Sequence, residues 1–172
     1  MILIHTALLC EAQSFIEYYK LKKINSSPKI YANDDILICI SGIGKLNTLN
    51  ALEYIYVNYE ITKAFNIGIA GCNDTSIDIG MLFCTNQSFA EIKTLPLITS
   101  DTVVTDSNIK KTTLYDMEAK YFHHVSQQYI KEEDILIFKI VSDHLSSEIL
   151  QKDVIKNMIS KQKNLHSLIK RI

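Results

Sequence analysis

Arginine is almost missing from this chain. Seventeen of its eighteen cations are lysines, and the single arginine, Arg171, stands one residue from the end. A site that depends on the bidentate guanidinium fork to hold an anion must be built without it. An excess of positive charge is missing too. Eighteen basic residues against nineteen acidic ones give a net charge of -1, so no diffuse basic surface exists to attract a phosphate backbone, and nucleic acid is not an expected partner. The sequence has no low-complexity tract, no internal repeat and no Cys-x-x-Cys pair. Cys10, Cys39, Cys72 and Cys84 are widely spaced, which argues against both a zinc site and a disulfide framework and reads them as reduced, mostly buried thiols. The run Met1-Ile2-Leu3-Ile4-His5 has no basic leader and its apolar stretch stops at Cys10-Glu11, too soon for a signal peptide or a membrane span. A cytoplasmic protein with no membrane partner is expected.

What is present is apolar character, at 47% of 172 residues, enough to bury one sizeable core and so one domain over residues 1–172. Runs at Ile2–Ala7, Ile36–Ile40, Ala64–Ala70, Gly80–Thr85 and Ile135–Val141 have strand length and no clean polar alternation, as strands buried on both faces do. Helical spacing marks Glu11–Leu21, Leu46–Tyr59, Tyr115–Tyr129 and Glu148–Ile169; in the second, Leu49, Leu52, Ile55, Tyr56 and Tyr59 recur every three or four residues. Ser26-Ser27-Pro28 and Asn33-Asp34-Asp35 are turns between elements. Strand followed by helix, repeated, predicts an α/β fold of three layers, with a central, mostly parallel sheet between helices.

In such sheets ligands sit beyond the carboxyl ends of the strands. Glu11, the turn Ser41-Gly42-Ile43-Gly44-Lys45, the segment Gly71-Cys72-Asn73-Asp74 and Ser142-Asp143-His144 all fall there. The glycine turn is no Walker A loop, because Cys39 and Leu46 stand where that motif needs Gly and Ser or Thr. Each signal also has a structural reading: glycines for a tight turn, Glu11 as a first-turn charge, Asp116 and Asp143 as helix caps. His5 reads as a satisfied core histidine. His123-His124 face different directions on a helix and cannot chelate one metal; neither a metal nor a cofactor is expected.

Taken in order, Ala7-Leu8 with Glu11, Ser41-Gly42-Ile43-Gly44-Lys45, Asn66-Ile67-Gly68-Ile69-Ala70-Gly71, Asp116-Met117-Glu118-Ala119 and Val141-Ser142-Asp143 resemble the nucleoside phosphorylase superfamily, and most of all the methylthioadenosine/S-adenosylhomocysteine nucleosidases. The resemblance implies that Glu118 accepts hydrogen bonds from the ribose hydroxyls, that Met117 packs on the sugar, that Asp143 protonates the leaving purine and that Glu11 orients the attacking water. It adds Ile43, Ala70, Gly71, Val103, Val104, Ser142 and Lys139 to the substrate-binding set. Cleaving an N-glycosidic bond builds oxocarbenium charge on the sugar, which carboxylates stabilise, while the departing base needs an acid.

Three departures from that pattern stand out. Ile69 replaces a Ser or Thr, Val103 replaces an aromatic that stacks on the base, and several dozen residues are missing between Gly80–Thr85 and Thr99, which makes this a shortened member. Lys139 stands where the nucleosidases have an arginine. The resemblance implies hydrolysis of a purine nucleoside, with two alternatives: a nucleoside-binding or structural relative without turnover, and a phosphate-dependent phosphorylase. The missing segment leaves apolar surface for a second copy to cover, so a homo-oligomer is expected.

Overall fold

Alternate residues of the apolar runs face opposite sides of one sheet, and both sides are covered by helices, which is why the runs lack polar alternation. The computed structural model describes residues 1–89 and 91–171. In chain order its first elements are β1 (Ile2–Thr6), α1 (Leu9–Tyr18), β2 (Lys22–Ser26), β3 (Lys29–Ala32), β4 (Ile36–Ile40), α2 (Lys45–Asn58) and β5 (Lys63–Cys72). They are followed by β6 (Leu82–Cys84), β7 (Leu97–Thr99), β8 (Leu114–Asp116), α3 (Ala119–Ser126), β9 (Ile135–Asp143), α4 (Lys152–Ser160) and α5 (Lys163–Arg171).

Four strands, in the order β4-β1-β5-β9, run parallel through the middle of the sheet. The β2–β3 hairpin adds an antiparallel edge, β6 closes antiparallel on β9, and β8 pairs antiparallel with the far end of β5, so the sheet is mixed. Phe15 of α1, Ile155 and Ile159 of α4 and Leu165 of α5 pack on Ile4, Ile38, Phe65 and Phe138. On the other side Leu52 and Ile55 of α2 and Phe122 and Val125 of α3 pack on Leu3, Leu37, Ala64 and Ile137. Neighbouring residues of one strand, Leu3 and Ile4 or Ala64 and Phe65, thus feed different layers. Each such buried Leu, Ile or Phe contributes about 1.5–3 kcal/mol relative to an exposed one.

The structure corrects several expected boundaries. Tyr115 and Asp116 belong to β8 rather than to a helix, and α3 begins only at Ala119. The helix expected over Glu148–Ile169 is two helices, α4 and α5, and Glu148 lies in the irregular segment before them. The hairpin β2–β3 was not expected, because β2 is largely exposed and carries no apolar repeat.

One irregularity positions the functional groups. Along β5 and β9, Ala70 stands opposite Val141 but Gly71 stands opposite Asp143. Ser142 is therefore an extra residue, a bulge that re-aims the end of β9 and with it the side chain of Asp143.

Candidate active site

Glu11 is the third residue of α1, yet its carboxylate turns back over the strand ends. Oε2 accepts the N–H groups of Ala7 (3.0 Å) and Leu8 (2.8 Å), and Oε1 accepts that of Ile69 (3.0 Å). It is both a first-turn helix charge and a member of the cavity wall. Gly68 makes this possible: a Cβ there would stand 2.8 Å from Oε1 of Glu11. Burial raises the carboxyl of Glu11 above its ordinary range, against the pull of the Leu8 N–H and of Lys139.

Glu118 is presented by the residue just before α3, and Oε1 accepts the N–H of Gly44 at 2.8 Å. Gly42 and Gly44 have φ of 92° and 89°, the left-handed region that glycine enters freely, and this lets the turn after β4 swing an amide toward Glu118. Burial pushes the Glu118 carboxyl up to about 7, with Asp116 adding to the rise and Lys139 and the Gly44 N–H opposing it.

Asp143 ends β9. The hydroxyl of Ser142 donates to Oδ2 at 2.6 Å and the N–H of Ser146 donates to Oδ1 at 2.9 Å, while Ser142 Oγ also reaches the carbonyl of Ala70 at 3.2 Å. The segment after Asp143 is irregular, so Asp143 caps no helix there. Gly71 keeps the floor low beside it, since a Cβ would meet Asp143 Oδ1 at 3.2 Å.

These groups surround one cavity of about 280 Å³, at the small end of the range for ligand pockets. Of the residues singled out in the sequence, Glu11, Ile43, Ala70, Gly71, Val103, Val104, Met117, Glu118, Ser142 and Asp143 line it. Val103, 64% exposed, stands at the rim. Sequence reasoning missed Asp116 and the 145–150 segment, which also line the cavity. A larger groove of about 480 Å³ opens beside α5; Glu91 is its only lining carboxylate among the described residues, and it lacks the convergence seen here.

Lys139 was expected among the substrate-binding residues, but the structure places it behind the cavity wall. It is 1% exposed, does not line the cavity, and its Nζ lies 2.7 Å from Oδ2 of Asp116. Burial, the largest influence on it, favours the neutral amine, but Asp116, Glu118 and Glu11 outweigh it and raise the ammonium above its ordinary value. Asp116 in turn accepts the Ala119 N–H at 2.8 Å, as a cap for α3, and the Thr99 hydroxyl at 2.6 Å. Three carboxylates thus share one sealed cation, and the cavity is acidic in character.

No protein-family model and no curated protein sequence matches the chain. Solved structures do. A methylthioadenosine nucleosidase from Helicobacter pylori, crystallised as an aspartate-to-asparagine variant with 5′-methylthioadenosine in its active site, superposes with a TM-score of 0.82 at 12% identity, over 99% of this chain and 98% of that one. The fold is that of the nucleoside phosphorylases and hydrolases. Futalosine hydrolase from the same organism matches with a TM-score of 0.82 at 15% identity, over 99% and 97% of the two chains. The 5′-methylthioadenosine/S-adenosylhomocysteine nucleosidase of S. pneumoniae, with a transition-state inhibitor, gives 0.81 at 13% identity over 98% of each chain. At such identities the likeness is one of fold, and the chemistry rests on the residues themselves.

Proposed function

We propose that the protein hydrolyses the N-glycosidic bond of a purine nucleoside such as methylthioadenosine or adenosylhomocysteine. The observation that carries this reading is the convergence of Glu11, Glu118 and Asp143, from three separate segments, on one cavity in a fold shared with a protein crystallised holding methylthioadenosine. Glu118 accepts hydrogen bonds from the ribose hydroxyls, with Met117 packed on the sugar. Glu11 orients a water molecule and takes its proton as the oxygen bonds to the anomeric carbon. Asp143 gives a proton to the purine ring as the carbon–nitrogen bond breaks. The acidic cavity suits the cationic sugar of the transition state.

Water fits as the nucleophile better than phosphate does. Lys139 is committed to Asp116, and Lys45 lies over the ring of Tyr121, 5.5 Å from its centroid. Neither lysine lines the cavity, so a phosphate dianion would meet carboxylates without a cation. A second reading, a nucleoside-binding relative without turnover, is favoured by Ile69, which offers the cavity an apolar side chain where a hydroxyl would help hold the nucleophile.

Residues 1–172 serve on this reading as one domain of a cytoplasmic homo-oligomer. No helix among the described residues is long and apolar enough to cross a membrane. Leu46 and Val57 of α2, 69% and 77% exposed, and Ile43 at the cavity rim leave apolar surface for a second copy to cover.

The deciding experiment incubates the protein with methylthioadenosine, adenosylhomocysteine, adenosine and inosine, with and without phosphate, and follows free base. Base release independent of phosphate is expected. Strict phosphate dependence overturns hydrolysis, and measurable affinity without release favours the binding-only reading.

A further inference from the structure

His5 touches the two segments that carry the partners of the Gly44–Glu118 hydrogen bond, through Ser41 on one side and Phe122 on the other. Its ring is fully buried in β1 and does not line the cavity. On one side Nε2 lies 2.9 Å from the hydroxyl of Ser41, and that hydroxyl donates to the carbonyl of Gly42 at 2.7 Å. Ser41 opens the turn whose fourth residue, Gly44, donates its N–H to Glu118. On the other side the imidazole stacks on Phe122 of α3, with centroids 5.5 Å apart and planes 26° from parallel. Phe122 is one helical turn from Glu118 and donates its N–H to the Glu118 carbonyl at 2.9 Å. The imidazole therefore stands between the segment that carries the donor, Gly44, and the segment that carries the acceptor, Glu118.

Its orientation is fixed from behind. The amide of Asn66 donates from Nδ2 to Nδ1 of His5 at 2.8 Å. With Nδ1 accepting, the ring proton sits on Nε2 and points at Ser41 Oγ, and the Ser41 proton is passed on to the Gly42 carbonyl. The Ser41 hydroxyl has the Thr6 carbonyl as a second, longer acceptor at 3.5 Å.

We propose that His5 is a positioning residue: held as the Nε2–H tautomer by Asn66, it sets the distance between the Ser41–Gly44 turn and α3, and so places the Glu118 carboxylate for ribose. A core histidine filling space would need only the stacking on Phe122. The series from Asn66 through His5 to Ser41 commits two buried polar groups and one half-buried hydroxyl, and its end is the glycine turn that holds Glu118. The neutral state is consistent with the surroundings, since burial, helped by Lys139, lowers the imidazole to about 3.

The proposal rests on Glu118 binding nucleoside, and the test separates the two. Nitrogen-15 NMR of the histidine ring reads the tautomer directly; Nε2–H is expected, and Nδ1–H overturns the proposal. His5→Phe keeps the volume and the stacking but makes neither hydrogen bond. Amide exchange at Gly44 is expected to quicken on the order of tenfold in this variant, while amides of the central strands keep their protection; an unchanged Gly44 amide overturns the proposal whether or not nucleosides bind. Where they do bind, His5→Phe is expected to weaken methylthioadenosine on the order of tenfold in the wild-type background and to have no further effect in the Glu118→Gln background. Equal losses in both backgrounds show a merely structural role. Asn66→Asp, which keeps the shape and offers Nδ1 an acceptor, gives a second variant should His5→Phe fold poorly: reversing the tautomer is expected to quicken the Gly44 amide as well, and an unaltered amide in a folded Asn66→Asp protein overturns the proposal.

Discussion

The ammonium of Lys139 lies 2.7 Å from Oδ2 of Asp116, and both side chains are sealed from solvent, at 2% and 1% exposure. A lysine in the middle of the most buried strand is costly unless it is paired. Here it offsets the charge of Asp116, Glu118 and Glu11 together. Lys139→Met removes that counter-charge and leaves a buried carboxylate unpaired. The expected loss of folding stability is about 3–5 kcal/mol, measured by urea unfolding. A loss below about 1 kcal/mol would show that the pair contributes little.

On the proposed function Glu118, raised to about 7 by burial, is expected to make nucleoside binding depend on pH. Between its unfolded value near 4.5 and its folded value near 7 the folded chain holds the proton more firmly than the unfolded one. Its contribution to folding stability is therefore greatest below that window and falls as pH rises through it. Binding runs the other way: the ionised carboxylate is the better acceptor for ribose hydroxyls, so affinity is expected to rise from about pH 6 to about pH 8. Glu118→Gln should flatten this dependence and weaken nucleoside binding by about 1.5–3 kcal/mol. Calorimetric titrations of both proteins across that range check it; identical, flat profiles would take Glu118 out of the site.

Gly68 lies under Glu11, and Gly68→Ala puts a methyl where Oε1 now stands 2.8 Å away. The carboxylate must shift and lose the Ile69 N–H. Misplacing a catalytic group by about an ångström costs on the order of 10²-fold in rate, so base release should fall by that order while nucleoside affinity changes little. Full activity in the alanine variant would detach Glu11 from the chemistry.

Apolar exposure on α2 predicts the state of assembly. Leu46 and Val57 project from its solvent face, and light scattering at micromolar concentration should return a dimer or larger species. A clean monomer contradicts this.

Much of this arrangement was legible in the sequence where burial leaves a periodic trace. The four parallel central strands are apolar runs, and the carboxylates of Glu11, in the first turn of the helix after β1, and Asp143, at the end of β9, stand near the carboxyl ends of two of them. Legibility failed where the pattern is short or polar. β8 is three residues long, too brief to outweigh the helical spacing beyond it, so the helix was expected to start at Tyr115, although the reading of Asp116 as a helix cap agrees with the hydrogen bond that its side chain accepts from the Ala119 N–H. β2 is exposed and lysine-bearing, as an edge strand should be, and has no apolar repeat. Lys139 lay in plain view inside the run Ile135–Val141. The resemblance, which puts an arginine at this position, suggested a ligand for substrate, but a strand covered on both faces leaves a lysine facing the interior, and its partner Asp116 comes from an element that periodicity had assigned to a helix.

Release of adenine from methylthioadenosine in phosphate-free buffer, by the unaltered protein and by Asp143→Asn, tests the central claim most directly. Asparagine keeps the size of the side chain but cannot give the base a proton. The account predicts release by the unaltered protein, and a rate lower on the order of 10²–10⁴-fold in the variant with ground-state affinity nearly intact. Equal rates in the two proteins, or no release by either, would contradict it.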